Sequence, residues 1–170
     1  MLGKVKSLRD LFEIELRYAY DCEQKLTEKG LPEMIEKASS PELRTTLEQH
    51  LAETRKHISR LQGVFTSIGF EPETKGNDVV DKMMSAAKDS ASNIEESSLR
   101  DAALIVNGNM IEHYEIALYG SLAAFARSLG LQAAVAPLEE TLNEEKKADA
   151  KLTEIGETVM NVKAARHQTA

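Results

Sequence analysis

Between Leu104 and Leu129 the chain runs Leu-Ile-Val-Asn-Gly-Asn-Met-Ile-Glu-His-Tyr-Glu-Ile-Ala-Leu-Tyr-Gly-Ser-Leu-Ala-Ala-Phe-Ala-Arg-Ser-Leu without a proline. Each residue of an α-helix advances by about 100°, so Leu104, Gly108, Ile111, Glu115, Leu118, Leu122, Ala126 and Leu129 fall on one stripe. Glu115 therefore lies inside an apolar face, with Glu112 one turn back on its margin. An ionised carboxylate buried alone costs several kcal/mol. Whatever this helix packs against must bring a compensating charge, either a cationic side chain or a metal ion.

The rest of the chain reads as helices of the same kind. A first helix starts near Ser7, with Asp10 three residues on as a capping partner. It carries Leu8, Phe12, Leu16, Ala19, Glu23 and Leu26 on one face, is kinked by Pro32, and turns at Ser39-Ser40-Pro41. A second runs from about Pro41 to Ile68 with Leu43, Leu47, His50, Thr54, His57, Leu61, Phe65 and Ile68 in line, and Gly69 stops it. A loop from Phe70 leads to a shorter helix capped by Asn77 or Asp78, expected on a flank of the molecule. The third begins near Ser97 or Ser98 and ends at Leu129. The fourth runs from about Gln132 to Val162, with Pro137 drawing its start towards Ala136. Its stripe is Leu138, Leu142, Glu145, Asp149, Leu152, Gly156 and Val159.

Four long helices form two hairpins, joined by a long crossover that holds the short helix. The expected fold is all-α: a four-helix bundle over residues 1–165 with a frayed tail at 166–170. Bulk numbers agree. The chain has 170 residues, 42% of them hydrophobic, no tryptophan, 4 prolines and 9 glycines, a composition suited to one helical domain. The net charge of −7 argues against a nucleic-acid partner. No run of ~18 apolar residues offers a membrane span or a secretion signal. A single cysteine, Cys22, excludes an internal disulfide and points to the cytoplasm. It also leaves no paired cysteines for an internal electron-transfer centre.

Every long helix places an acid or imidazole inside its own apolar stripe. These are Glu23 on the first, His50 and His57 with Glu53 at the edge on the second, Glu112 and Glu115 on the third, and Glu145 and Asp149 on the fourth. Counted from the hairpin turns, Glu23, Glu53, His57, Glu112, Glu115, Glu145 and Asp149 stand roughly 25 Å along the bundle at ~1.5 Å per residue, so they can share one layer. No lysine or arginine occupies the stripes at that level, since Arg55, Lys56, Lys146 and Lys147 point away. Oxygen donors with one or two imidazoles suit iron, with manganese the alternative, and shared carboxylates suit two ions. Glu53/His57 and Glu145/Asp149 each pair a glutamate with a second ligand type four residues on, and His50/Glu53 competes with the first pair. That is the layout of ferritin-like carboxylate-bridged sites. His113, Glu144 and the tail residue His167 read as solvated, and Tyr20, Tyr114, Tyr119 and Cys22 as packing residues.

Several stretches carry a resemblance beyond this layout: Cys22-Glu-Gln-Lys-Leu26, His50-Leu-Ala-Glu-Thr54, Arg100-Asp-Ala-Ala-Leu-Ile105, Glu112-His-Tyr-Glu-Ile-Ala-Leu-Tyr-Gly120 and Thr141-Leu-Asn-Glu-Glu145. Through them the chain resembles the YciF/YciE-type ferritin-like family over nearly its whole length, and more distantly rubrerythrin and bacterioferritin. The resemblance implies a homodimer, a link to bacterial stress responses and a di-iron site. It departs from the Glu-x-x-His pairs of the distant relatives, because residue 56 is Lys and residue 148 is Ala. Two functions are expected to compete. One is oxidation of Fe(II) by dioxygen or peroxide, with a manganese catalase-like site as a variant. The other is a non-enzymatic stress-induced structural or binding protein with an unfilled acidic layer.

Overall fold

The computed structural model describes residues 5–166; the tail residues 167–170, His167 among them, lie outside these. The described residues form α1 (Leu8–Lys25), a π-helical turn (Leu26–Gly30), α2 (Leu31–Lys37), α3 (Pro41–Ser67), α4 (Asp78–Ser92), α5 (Ser97–Ser128), α6 (Gln132–Ile155), a second π-helical turn (Gly156–Met160) and α7 (Asn161–Arg166). Four rods result: α1 continued by α2, α3, α5, and α6 continued by α7. The expected helical bundle with a helix-bearing crossover is thus present.

Local chemistry sets the boundaries. Ser7 Oγ accepts from the Asp10 amide at 3.0 Å while Asp10 Oδ2 accepts from the Ser7 amide at 3.1 Å, a reciprocal cap on α1. Ser40 caps α3, with Pro41 at its first position, and Asn77 caps α4. Glu96, rather than either serine after it, caps α5 by accepting from the Ser98 and Leu99 amides. Gly69 and Gly130 end their hairpin helices with φ of 81° and 71°, where a β-carbon would be strained.

The expected kink at Pro32 takes a definite form. Proline has no amide hydrogen and its ring crowds the carbonyl four residues back, so the preceding turn widens and the Leu31 amide bonds to Leu26 O instead. The fourth rod also differs from a uniform helix. It loosens into a π-turn at Gly156, where an added β-carbon would sit 3.3 Å from Ile105 Cγ2. It then continues to Arg166, past the expected end at Val162. Pro137 does not displace the start of α6 to Ala136. The Leu131 amide is bonded to Ala126 O at 2.9 Å, which fixes the turn before it.

Around the bundle, α1 packs on α3 and α5, and α6 packs on the same two helices. Buried Asp101 near the start of α5 accepts from the Ser39 and Ser40 amides at 2.8 Å each, so α5 begins where the first rod turns into α3. At the other end Arg9 Nη2 donates to Ile68 O at 3.1 Å, joining the end of α3 to the start of α1. All four neighbouring pairs are therefore antiparallel. The crossover must climb the whole bundle, with α4 lying on the flank of α5. Asn77 pins it: its amide donates to Asp21 at 2.9 Å and its side chain donates to the Tyr114 hydroxyl at 2.6 Å.

This connectivity places the two hairpin turns at opposite ends. Groups standing equally far from either turn then meet at mid-height, and the core divides there. One apolar cluster, with Leu26, Met34, Leu47, Leu104, Ile111 and Leu152, fills the end beneath the first turn. Another, with Phe12, Leu16, Leu61, Phe65, Leu122 and Leu138, fills the end above the second. The residues left between them are the acids and imidazoles.

Candidate metal centre

Between the apolar clusters, Glu23, His50, His57, Glu112, Glu115 and Glu145 are all buried. Glu145, on α6, is fully enclosed and stands between two groups of donor atoms. One donor each from His50, Glu112, Glu115 and Glu145 lie within 4.8 Å of one another, and the same holds for Glu23, His57 and Glu145. His50 Nε2 is 3.1 Å from Glu112 Oε1 and 3.9 Å from Glu145 Oε2. His57 Nδ1 is 3.0 Å from Glu145 Oε1 and 3.3 Å from Glu23 Oε1. Both histidines face the layer, their ring centres 6.5 Å apart, so the structure brings together the two that the sequence set in competition. They are seven residues apart on α3, two turns that return to nearly the same direction.

Two of the eight residues singled out from sequence stand outside these groups. Glu53 is at the rim, its side chain 42% exposed and Oε2 4.0 Å from His50 Nδ1. Asp149 lies one turn beyond Glu145, and its carboxylate is 3.1 Å from the exposed ring of His113. A carboxylate on so short a side chain at the outer edge of the stripe meets the neighbouring α5 surface before it reaches the centre.

Three groups that the sequence reading set aside adjoin the layer. Tyr119, read as packing, donates its buried hydroxyl to Glu23 Oε1. Cys22 is enclosed as expected, yet its thiol also donates to Glu115 Oε1 at 3.5 Å. Glu144, read as solvated, is only 20% exposed and its Oε2 lies 2.9 Å from His57 Nε2. Arg60 grips both oxygens of Glu144 and also reaches Glu140 at 2.6 Å. The pattern was faintly visible: Glu140 and Glu144 are one turn apart, and Arg60 follows His57 by about a turn.

Burial dominates the electrostatics. It pushes Glu112 up to about 7 against the pull of His50. Burial, then the charges of Glu23, Glu145 and Glu112, holds Glu115 well above the ordinary carboxylate value. Burial also raises Glu23, opposed by His57 and by the Tyr119 hydrogen bond. For His57 burial acts against protonation, but the Glu145 and Glu23 carboxylates outweigh it and push the ring up to about 10. His50 is likewise raised well above 6.5 against burial, first by Glu112. In each case the shift favours the protonated form, which lessens the negative charge of the layer.

The donor set fits a metal on a further count. Glu23 Oε2, Glu112 Oε2, Glu115 Oε2 and Glu145 Oε2 are buried without a hydrogen-bond partner, and Glu145 Oε1 faces only the His57 ring at 3.0 Å. Such groups are costly unless something accepts their lone pairs. Buried between imidazoles, with no lysine or arginine among the facing groups, they are placed to bind cations.

Comparison with known proteins gives consistent results. Residues 7–165 match the family described as Domain of unknown function (DUF892). The chain is 34% identical over 161 residues to protein YciF of Escherichia coli (strain K12), covering 94% of this chain and 96% of that one. The crystal structure of the E. coli stress protein YciF aligns with a TM-score of 0.85 at 34% identity, covering 89% of this chain and 96% of that one. YcfI from Rhodopseudomonas palustris aligns with a TM-score of 0.87 at 39% identity, covering 90% and 97%. A Xanthomonas campestris protein at 24% identity, with a TM-score of 0.73 over 95% and 99%, shares the fold.

Proposed function

The chain belongs to the DUF892 family of YciF-type proteins, and from that footing we propose that it is a ferritin-like metalloprotein holding two metal ions, iron foremost, in its central layer. The observation that carries this reading is the set of buried carboxylate oxygens between two imidazoles, four of them without a partner. Charge supports two ions rather than one. Glu23, Glu112, Glu115 and Glu145 supply four negative charges when ionised, and two divalent cations cancel them with both imidazoles neutral.

His50, Glu112 and Glu115 would hold one ion, Glu23 and His57 the other, and Glu145 would be shared. Glu53 and Asp149, at the rim, would join only by swinging inward. Carboxylate oxygens with imidazole nitrogens suit iron, and manganese next. Bound iron would supply electron transfer to dioxygen or peroxide. The chain's own residues do the rest. The two apolar clusters exclude water from both sides, the Tyr119 hydroxyl fixes Glu23, and the Cys22 thiol fixes one oxygen of Glu115.

The relative named a stress protein supports a stress-associated role, a single cysteine suits the bacterial cytoplasm, and no described helix is long and apolar enough to cross a membrane. A homodimer fits the outer face of α5, where Leu99, Val106 and Met110 remain exposed along one line, with Val162 exposed on the adjoining α7. Anaerobic titration of the metal-free protein with Fe(II), followed by equilibrium dialysis, is expected to show about two ions per chain. Saturation near zero would instead favour a non-enzymatic stress-induced protein whose acidic layer is kept neutral by protons.

A further inference from the structure

Glu144 is absent from both donor groups, yet it touches the His57 nitrogen that is turned away from them. Its carboxylate is gripped by the Arg60 guanidinium, with Nη2 3.1 Å from Oε1 and Nη1 on Oε2. An ionised carboxylate can only accept hydrogen bonds. The 2.9 Å contact between Glu144 Oε2 and His57 Nε2 therefore requires the hydrogen on Nε2. With Nε2 committed as a donor, only Nδ1 can offer a lone pair to a cation, and Nδ1 is the atom turned towards Glu23 and Glu145. The opposite tautomer would set a lone pair against an anion and direct an N–H into the place of the ion.

We propose that Glu144, clamped by Arg60, is a positioning residue that holds His57 in the one orientation and tautomer in which Nδ1 is a metal ligand. The inference rests on the metal-binding reading above but can fail separately from it. Arg60 also explains why the acceptor is reliable. It spans Glu140 and Glu144 on α6, so the acceptor, the ring and the clamp bridge α3 and α6, and loosening either helix would release the ring.

The test compares Glu144→Ala with Glu144→Gln, using Co(II) as the probe metal and protein labelled with 15N at histidine. Both variants remove the same charge beside His57, but only glutamine retains an oxygen able to accept from Nε2. The metal-free wild type is expected to show an exchange-protected Nε2 hydrogen on His57 that Glu144→Gln retains and Glu144→Ala loses. Co(II) affinity is expected to fall about 10–100-fold in Glu144→Ala and to recover in Glu144→Gln, the size usual for losing a partner that orients a metal-bound histidine. Thermal unfolding of the metal-free variants reports whether the fold is intact. Equal Co(II) affinity in Glu144→Ala and wild type would overturn the inference and leave the metal site standing. Equal loss in both variants would show an effect of charge and overturn it too. A wild type that binds no Co(II), with the His57 hydrogen still protected, would overturn the metal reading itself.

Discussion

The central layer makes a quantitative prediction about protons. It contains four carboxyl groups and two imidazoles, all buried. Without a metal, the layer is electrically neutral when four protons are distributed over these groups beyond those of neutral imidazole, whichever groups hold them. Two divalent cations carry the same charge, so binding should exchange protons for metal. The individual groups agree. His57 at about 10 holds its proton at pH 7 and Glu112 at about 7 is half protonated, while His50 and Glu115 are shifted in the same direction. Loading two ions at pH 7 should then release more than about one proton per chain from His57 and Glu112 alone, falling as pH rises past Glu112. Calorimetric titration with Fe(II), under anaerobic conditions and in buffers of differing ionisation enthalpy, reads that number from the slope of observed heat against buffer heat. Surface binding to exposed carboxylates, already ionised at pH 7, would release almost none. A slope below about one proton per chain would refute the placement of the ions in this layer.

Other consequences follow from the same geometry. Metal-free protein should lose stability as pH rises. Both Glu112 and His57 bind protons more tightly folded than unfolded, so the Glu112 contribution is full below about 4.5 and lost through about 7, and that of His57 is full below about 6.5 and lost through about 10. Melting temperatures measured from pH 5 to 10 should fall without metal, while the increase produced by saturating metal should grow, and a flat metal-free profile would contradict the shifts. Asp101→Ala leaves the Ser39 and Ser40 amides without their acceptor and should cost about 2–4 kcal/mol in denaturant unfolding, with metal stoichiometry unchanged. Val106→Asp with Met110→Asp on the exposed face of α5 should convert the proposed dimer to a monomer in sedimentation analysis with little change in melting temperature. A persisting dimer would move the interface elsewhere.

Much of this was readable in one dimension because the helical period assigns each residue a direction. Glu115 and Glu145 are conspicuous as acids inside apolar stripes, and the structure buries both. Height along the bundle was readable because helices rise uniformly from short turns. The antiparallel ring then makes equal distances from opposite ends coincide. What the period cannot supply is the lateral partner. Glu144 lies about 100° from Glu145 and so reads as solvated on a helix with one buried face. In the bundle α6 has two packed neighbours, and the flank towards α3 carries His57 and Arg60. Asp149 fails for the complementary reason: its direction is acceptable, but its reach is too short and His113 is nearer. The π-turns at Leu26–Gly30 and Gly156–Met160 are also hidden, since an extra residue in a turn appears only when a proline or a close helix forces it.

The position of the acids between two apolar clusters has a consequence for what can occupy them. Four apolar side chains of similar volume at residues 23, 112, 115 and 145 would join the clusters into one continuous core and would generally be at least as stable as a buried ionic layer. The chain instead encloses four carboxylate oxygens without a partner and a fifth, Glu145 Oε1, that meets only the His57 ring, and secures the groups around them with Tyr119, Cys22 and the Glu144–Arg60 pair. A proton on His57 or His50 can neutralise the layer and donate to one facing oxygen, such as Glu145 Oε1 or Glu112 Oε1, whereas a cation accepts several lone pairs at once. The unpartnered oxygens are thus the feature by which the proposed cations would be preferred over protons, since the charge alone can be cancelled either way.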